Sequence, residues 1–512
     1  MRTGSGARVS GELKERQPLI RPERYGFFDK LLFAVFVLAV PPFIASNWSV
    51  FRDGDVSWHI AAGRWIIEHH YKIPRTDPFS FTMAGKPWIA FEWGAELILA
   101  GAYNLAGFAG LAALVALALM ALFGTLFWYL RDKAGPVALL VAFAATYLVL
   151  QPFIMARPHV LTWPFLALWA AVMFRYRDAG RAPPLAWALF IVLWANIHGS
   201  YFAGFLVSAA CGLDAWIDAR FDRKVFIRWL VFGIAILLAA MLNAYGVKGV
   251  LYPLEISSMT TLLSIGEWQA SNPSSTPIFY GLLIGVLGAL LAKRPQFRPG
   301  ELALLLLTLL MAFTHIRHQS VFIILSAMIV TPKLAGPGRK DAPPTFASNG
   351  EKRLWLGAAA VAALPIVGVR AMIPLQPRET FSNPRGLIAH IPPELRDQPV
   401  LNEYSMGGPL ILSGVKVFID GRADMYGDDY FKTYLKMNDG DWDAFTDSVR
   451  KYGFRWTMLQ KGNRLVEKLD ASPDWRRVYS DEVGVIHVRR DQPLAAPAQP
   501  VGNADAKEQQ GR

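Results

Sequence analysis

The chain has 512 residues, 53% of them hydrophobic and only 18% charged, with a formal net charge of +12. Charge this sparse over such a length excludes an ordinary soluble protein, and the single cysteine, Cys211, excludes an internal disulfide framework and a cysteine-based metal cluster. The positive balance does not require nucleic acid as a partner, because the basic residues collect beside apolar runs, where the Lys and Arg bias of cytoplasmic membrane loops accounts for much of the excess.

In chain order, residues 1–30 form a basic tail (Arg2, Arg8, Lys14, Arg16, Arg21, Arg24, Lys30 against Glu12, Glu15, Glu23, Asp29), which predicts a cytoplasmic N-terminal side. A first apolar run follows and reads as a retained span rather than a cleaved signal. A span needs roughly 20 mostly apolar residues. On that measure, spans are expected near 31–47, 109–130, 137–155, 159–174, 184–197, 200–217, 225–242, 277–292, 301–314, 319–332 and 354–370. The segment 92–107 is expected as an oblique helix leading into the second span. The connections expected on the cytoplasmic side, such as "RDKAG", "RYRDAGRAPP" and "KRPQFRPG", are rich in Lys and Arg. Those on the opposite side are "ARPH", "NIHGS", "THIRHQ" and two long loops, 48–91 and 243–276.

After the multi-span region 31–370 comes a stretch of different character, 376–490, expected outside the cytoplasm. "VKVFIDGR", "RWTMLQ" and "VGVIHVRR" read as strands. "DWDAFTDSVRKYG" reads as a helix with Asp441 as N-cap and Gly453 as its stop. Residues 491–512 have the composition of a disordered tail. The fold class expected is an all-α polytopic membrane protein of about eleven transmembrane helices with a C-terminal extracytoplasmic α/β domain.

The chemistry collects on one side. All nine histidines fall on the outer side of this topology, seven of them in membrane-proximal segments. Ionisable groups near a bilayer are costly unless paired or solvated, so they mark sites. The segment "FRDGDVSWHIAAGRW" opens the first outer loop with Asp53, Asp55 and His59. Residues 56–69 have helical character, with Val56, Ile60, Gly63 and Ile67 along one side. This predicts a short helix lying on the outer membrane surface with Trp58 and Trp65 at the interface. Asp55 is placed to cap it; capping explains one aspartate and leaves the other for catalysis. Asp77, in a Pro-rich stretch, reads as a turn former. Glu92 and Glu96 share a helix face at i, i+4, with Glu96 entering the membrane.

Arg157 carries a guanidinium suited to bidentate phosphate binding, or to snorkelling toward headgroups. His159, Asn196, His198, Glu267, His315, Arg317 and His318 complete the candidate substrate-binding set. Asp and His are good ligands for zinc or manganese, yet the spacings match no closed motif such as His-Glu-x-x-His. A divalent cation held by Asp53 and Asp55 stays open, and no cofactor is certain. No phosphate-cradling glycine motif is present.

The stretches "DGDVSWHIAAGRWI", "IPRTDPFSFTMAGKPW", "EWGAELI", "ARPHVLT", "NIHGSYFAG" and "IGEWQAS" together resemble the GT-C-type polytopic glycosyltransferases, in particular bacterial proteins related to protein O-mannosyltransferases and aminoarabinose transferases. The resemblance covers about residues 27–330. It implies a polyprenyl-phosphate-linked sugar as donor, an acceptor hydroxyl on a protein, lipid or polysaccharide outside the cytoplasm, and a bacterial inner-membrane location. It also implies one inverting displacement, with Asp53 or Asp55 as base and Arg157, Arg317 and His318 on the departing phosphate. The acidic motif departs from the Asp-Glu or lone Asp found elsewhere in that superfamily: here it is Asp-Gly-Asp, which leaves the identity of the base open. Two other readings use the same residues. A transporter or flippase would bind an anionic lipid without chemistry, and a non-catalytic assembly protein would use "VFIDGRADMYGDDYF" as a recognition surface.

Overall fold

Apolar runs bounded by prolines set most of the architecture. The computed structural model describes residues 27–335, 375 and 377–493. Most of the basic tail, the span expected at 354–370 and nearly all of the C-terminal tail lie outside the described residues. The first run forms α1 (Phe27–Phe33), a π-helical turn (Ala34–Ala39) and α2 (Val40–Ala45) in continuation. Next come α3 (Asp55–Glu68), α4 (Trp93–Leu130), α5 (Pro136–Leu150), α6 (Pro158–Asp178) and α7 (Ala188–Ala195). They are followed by α8 (Tyr201–Asp218), α9 (Arg223–Ala240), α10 (Val247–Ser257), α11 (Pro277–Lys293), α12 (Pro299–Thr314) and α13 (Gln319–Ala335). The helices α5, α6, α11 and α12 each begin on a proline, whose missing N–H costs nothing in the first turn.

Among the described residues, three helical stretches are long and apolar enough to cross a membrane: Trp93–Leu130, Pro136–Phe153 and Ile316–Ala335. Leu185–Ala195, Pro277–Lys293 and Pro299–Thr314 are shorter apolar helices. The oblique helix expected at 92–107 is present as the first part of α4. The chain kinks at Ala106 and at Gly107, whose φ of +58° only glycine adopts freely, before the apolar part continues. The helix α10 lies inside the outer loop 243–276, where the sequence reading expected only a connection. At one end of the bundle, ion pairs join α6, α8, α12 and α13: Arg177 to Asp214 (3.2 Å) and Glu301 (3.1 Å), and Lys333 to Glu301 (3.0 Å). Such pairs need mutual satisfaction to be tolerated in buried surroundings.

The C-terminal region carries a four-stranded sheet of order β1-β2-β4-β3, from β1 (Val400–Asn402), β2 (Trp456–Gln460), β3 (Trp475–Ser480) and β4 (Gly484–Arg489). The pair β1/β2 is parallel and the others antiparallel. The helix Trp442–Tyr452 is capped as expected: the Asp441 side chain accepts from the Ala444 N–H, and Gly453 closes it at φ +67°.

One strand assignment is corrected. "VKVFIDGR" forms no ladder with the sheet; Val417 makes a single bridge to Ser80 of the outer loop. The Asn402 carboxamide accepts from the Phe418 N–H (2.8 Å), and the segment runs on to put Asp420 and Arg422 against Asp77. Its apolar alternation faces buried surroundings on both sides rather than a sheet edge. In the stretch "VFIDGRADMYGDDYF", Val417, Phe418, Ile419, Asp420 and Arg422 are buried between this domain and the first outer loop, which leaves only its second half, where Asp429 is exposed, open as a surface.

The expected surface helix is also relocated. Its face Val56, Ile60 and Gly63 is buried, but so are Trp58, His59, Ala61 and Ala62. Helix α3 is held between α4 on one side and the helix Gly407–Leu412 of the C-terminal domain on the other. The apolar residues of its first turns therefore contact protein, while Trp65 and Ile67 near its end stay partly exposed.

Candidate active site

The first outer loop, the α5–α6 turn and the α12–α13 turn meet at one end of the bundle, and the backbone explains how. The Ala156 N–H donates to the Val50 carbonyl (2.9 Å), which lays the "MARPH" turn beside the acidic loop. Arg157, the extended residue before Pro158, is the N-cap position of α6 and points its guanidinium at both aspartates. Nη1 lies 2.8 Å from Asp53 Oδ2, and Nη2 lies 3.0 Å from Asp55 Oδ2. Nη1 also reaches Glu267 Oε2 at 3.3 Å. Glu267 stands in the short 3-10 turn Gly266–Trp268, which the α12–α13 turn holds through His315 Nδ1 on the Trp268 carbonyl (2.7 Å) and the Ile316 N–H on the Gln269 carbonyl (3.0 Å). Its other oxygen, Oε1, is 3.4 Å from Arg317 Nη1, and the Arg317 guanidinium lies over the Trp268 ring at 4.4 Å. One carboxylate thus spans two guanidiniums.

The capping assignment is reversed by the structure. The N-cap of α3 is Gly54, and Asp55 is its first helical residue. Asp53 Oδ1 accepts from the Asp55 N–H (3.0 Å), so both oxygens of Asp53 are engaged, one by backbone and one by Arg157. The Asp55 carboxyl is pushed up to about 7 by burial and by the charge of Asp53, with Arg157 opposing. Glu267 goes the other way: burial would raise it, but Arg157 and Arg317 more than offset that and bring it to about 2.

Two cavities of about 380 Å³ each adjoin here. The first has a mixed lining in which the charged groups gather, with Asp53, Asp55, Glu96, Arg157 and, from the C-terminal domain, Tyr404 and Asp424 on its walls. The second is lined mainly by apolar residues of α6, α8 and α10, including Trp163, Leu166, Phe205 and Leu254, with His159, His198 and His318 near them. Glu92, Glu267, Trp268 and Arg317 line both and mark the junction.

Glu92 is a residue whose role the sequence reading underweighted in favour of Glu96. His198 Nδ1 accepts from the Ser200 N–H (3.0 Å), which leaves the proton of the neutral ring on Nε2, 3.3 Å from Glu92 Oε1. Burial pushes the Glu92 carboxyl up to about 8. His59 lies 3.9 Å from Glu92 and 3.8 Å from Glu96.

Not every candidate reaches a cavity wall. The Asn196 side chain ties helices together, accepting from Trp93 Nε1 (2.9 Å) and donating to the carbonyls of Val192 (2.7 Å) and Leu242 (3.0 Å). His315 holds the Glu267 turn, and His159 Nε2 bonds the Phe153 carbonyl (2.8 Å) while lining the second cavity. A cation held by both Asp53 and Asp55 would have to displace the Arg157 guanidinium. Among the described residues, no three His, Cys, Asp or Glu side chains are grouped to hold a metal ion.

Neither a family model nor a curated protein sequence matches the chain. Its architecture does find solved relatives. ArnT from Cupriavidus metallidurans, in a crystal structure with undecaprenyl phosphate bound, aligns with 90% of this chain and 98% of its own at a TM-score of 0.50 and 14% identity. The apo form of that protein aligns with 90% and 97% at 0.50 and 15% identity. The chain has the fold of the GT-C-type glycosyltransferases. An oligosaccharyltransferase from Archaeoglobus fulgidus, tethered to an acceptor peptide by a disulfide bond, overlaps 85% of this chain and 70% of its own at 0.49 and 11% identity. The apolar helices mark the chain as a membrane-embedded protein.

Within this GT-C fold, Tyr404, Ser405, Gly421 and Asp424 are wall residues that the sequence reading missed. They lie more than 300 positions from Asp55 in the chain, and no local pattern joins them to it. The raised Asp55 carboxyl also has a measurable consequence. If it acts as a base it must be ionised, so kcat/KM is expected to fall as pH drops below about 7 and to level off above it. The sign for stability is opposite. An acid raised above its unfolded value of 3.8 favours folding least when ionised, so its contribution declines between about pH 4 and 7. A pH series of initial rates beside thermal unfolding separates the two.

Proposed function

We propose that the chain is a membrane glycosyltransferase that moves a sugar from a polyprenyl-phosphate carrier to an acceptor hydroxyl outside the cytoplasm, with inversion at the anomeric carbon. One observation carries the reading. The Glu267 carboxylate spans Arg157 and Arg317 at the junction of a cavity rich in charged groups and a mainly apolar one, as the oxygens of one phosphate group would. An anion on an apolar chain fits that junction, with the chain in the second cavity and the sugar in the first.

In the proposed reaction the acceptor oxygen attacks the anomeric carbon as Asp55 takes its proton. The carbon–oxygen bond to the phosphate breaks, and its electron pair leaves with the lipid phosphate. Arg157 and Arg317, with His318 beside them, hold that charge. Asp53 fixes both the first turn of α3 and Arg157. A carrier lipid suits a site facing away from the cytoplasm, where nucleotide sugars are absent. In this reading the basic N-terminal tail would lie in the cytoplasm of a bacterial inner membrane and, with an odd number of spans, the C-terminal domain outside it.

The test uses purified protein in lipid vesicles with labelled polyprenyl-phosphate sugars and a panel of hydroxyl acceptors. Release of polyprenyl phosphate with transfer of label is the expected result. It should persist with a chelator, because Arg157 already supplies positive charge between the two aspartates. Loss on chelation, restored by one divalent ion, would assign that ion to the aspartates. Movement of intact labelled lipid between leaflets without release would make the chain a transporter.

A further inference from the structure

The C-terminal domain touches the acidic motif directly, through glycines packed so closely that a Cβ would force a neighbour to shift. A Cβ on Gly421 would overlap Asp55 Oδ1 and lie 2.6 Å from Asp55 Cγ and 2.9 Å from Trp58 Nε1. The same close approach recurs at the start of α3. A Cβ on Gly54 would overlap the Ser405 carbonyl oxygen, and one on Gly408 would overlap the Gly54 carbonyl oxygen. Real Cβ atoms do not approach carbonyl oxygens so closely, and a packed interface yields little to accommodate them. The middle glycine of Asp-Gly-Asp is therefore the docking point of another domain.

Gly421 is itself pinned. Asp420 and Arg422 on either side form a fully buried ion pair: Nε to Oδ1 at 2.8 Å and Nη2 to Oδ2 at 2.7 Å. Arg422 Nη1 reaches across to Asp77 of the outer loop at 2.7 Å, and its guanidinium packs against the edge-to-face pair of Trp88 (4.7 Å) and Phe79 (5.1 Å). Asp77 in turn accepts from the backbone of Phe79 and Ser80. The Tyr404 hydroxyl donates to the Gly421 carbonyl at 3.2 Å. The residues on either side of Gly421 and its carbonyl are thus held by charged or hydrogen-bonded contacts, and a bidentate guanidinium tolerates no simple replacement.

We propose that Gly421 and Arg422 are positioning residues of the transferase site: the C-terminal domain sets where the Asp55 carboxylate stands relative to the reacting hydroxyl. The inference rests on the reading of Asp55 as base. A displacement of about 1 Å in a reacting group costs on the order of 10²-fold in rate, which a merely structural contact would not do selectively.

The experiment compares Gly421→Ala and Tyr404→Phe with wild type in vesicles, measuring kcat for transfer and, separately, the affinity for polyprenyl phosphate without acceptor. The lipid phosphate would lie at Arg157 and Arg317, so its affinity should stay within about twofold, while kcat drops about 10- to 100-fold in Gly421→Ala and several-fold in Tyr404→Phe. The Tyr404→Phe variant removes one hydroxyl and keeps the test alive if the alanine chain does not fold. Wild-type kcat in a folded Gly421→Ala, or in Tyr404→Phe where that chain is the one recovered, overturns the proposal. So does loss of kcat and lipid affinity in equal measure. Asp55→Asn run alongside separates the two ideas: if it keeps full activity, the base assignment fails, and if it is inactive while Gly421→Ala is normal, only the positioning role fails.

Discussion

Asp55→Asn is expected to lower sugar transfer by about 10²- to 10⁴-fold, the usual worth of a positioned general base, while the chain still folds and inserts. Asparagine keeps the size of the side chain and one oxygen, so the contact with Gly421 is preserved. What it loses is the ability to take a proton. Asp53→Asn should cost less. The Asn oxygen can still accept from the Asp55 N–H, and Arg157 keeps Asp55 and Glu267 as partners. The difference between the two variants follows from geometry: Asp53 has both oxygens committed, whereas Asp55, on the same cavity wall, has a carboxyl raised to about 7 by burial and by Asp53. Rates at saturating donor, with circular dichroism and detergent chromatography as folding controls, check it. Full activity in both variants would remove the aspartates from the chemistry.

The second large effect is expected at Arg157. Its guanidinium is shared by Asp53, Asp55 and Glu267. Lysine offers a single point of charge and cannot serve three carboxylates and a phosphate in one plane. Arg157→Lys should therefore reduce transfer by about 10²- to 10³-fold, comparable to removing one donor from a developing anion, and should weaken polyprenyl-phosphate binding. Stability should also fall, by on the order of 2 kcal/mol, because partly buried carboxylates are left facing one another. The acid limb of the pH profile should move little, since lysine keeps the positive charge that opposes the rise of Asp55. A variant that only lost stability, with wild-type transfer and unchanged lipid affinity, would contradict this role.

Much of this could be read from the chain, for identifiable reasons. Long apolar runs and basic connections placed the helices, because burial in lipid leaves few alternatives for a backbone. The same alternation put Asp53, Asp55, Arg157, Glu267 and Arg317 on one side, and the structure joins them in one cluster. The oblique helix before Gly107 was legible from its polar, small-residue sequence. What escaped depended on contacts between distant segments. Asp55 looked like a cap because capping is read one residue at a time, yet Asp53 reaches past Gly54 to do it. "VKVFIDGR" alternates like a strand, but its partner is the outer loop some 340 residues away rather than a sheet neighbour. Trp58 looked interfacial because tryptophan favours membrane surfaces; a second domain covers it instead. Asn196 and His315 are polar groups near an apolar region, as site residues are, but their hydrogen bonds are spent on holding turns and helices.

The most direct measurement is a cryo-EM structure of the chain in lipid nanodiscs with polyprenyl phosphate. The lipid phosphate should lie within hydrogen-bond reach of both Arg157 and Arg317, with Glu267 withdrawn from at least one of them and the first prenyl units in the cavity lined by Trp163, Leu166 and Phe205. A phosphate bound elsewhere, or Glu267 still spanning both guanidiniums with the lipid fully occupied, would contradict a transferase site at this junction.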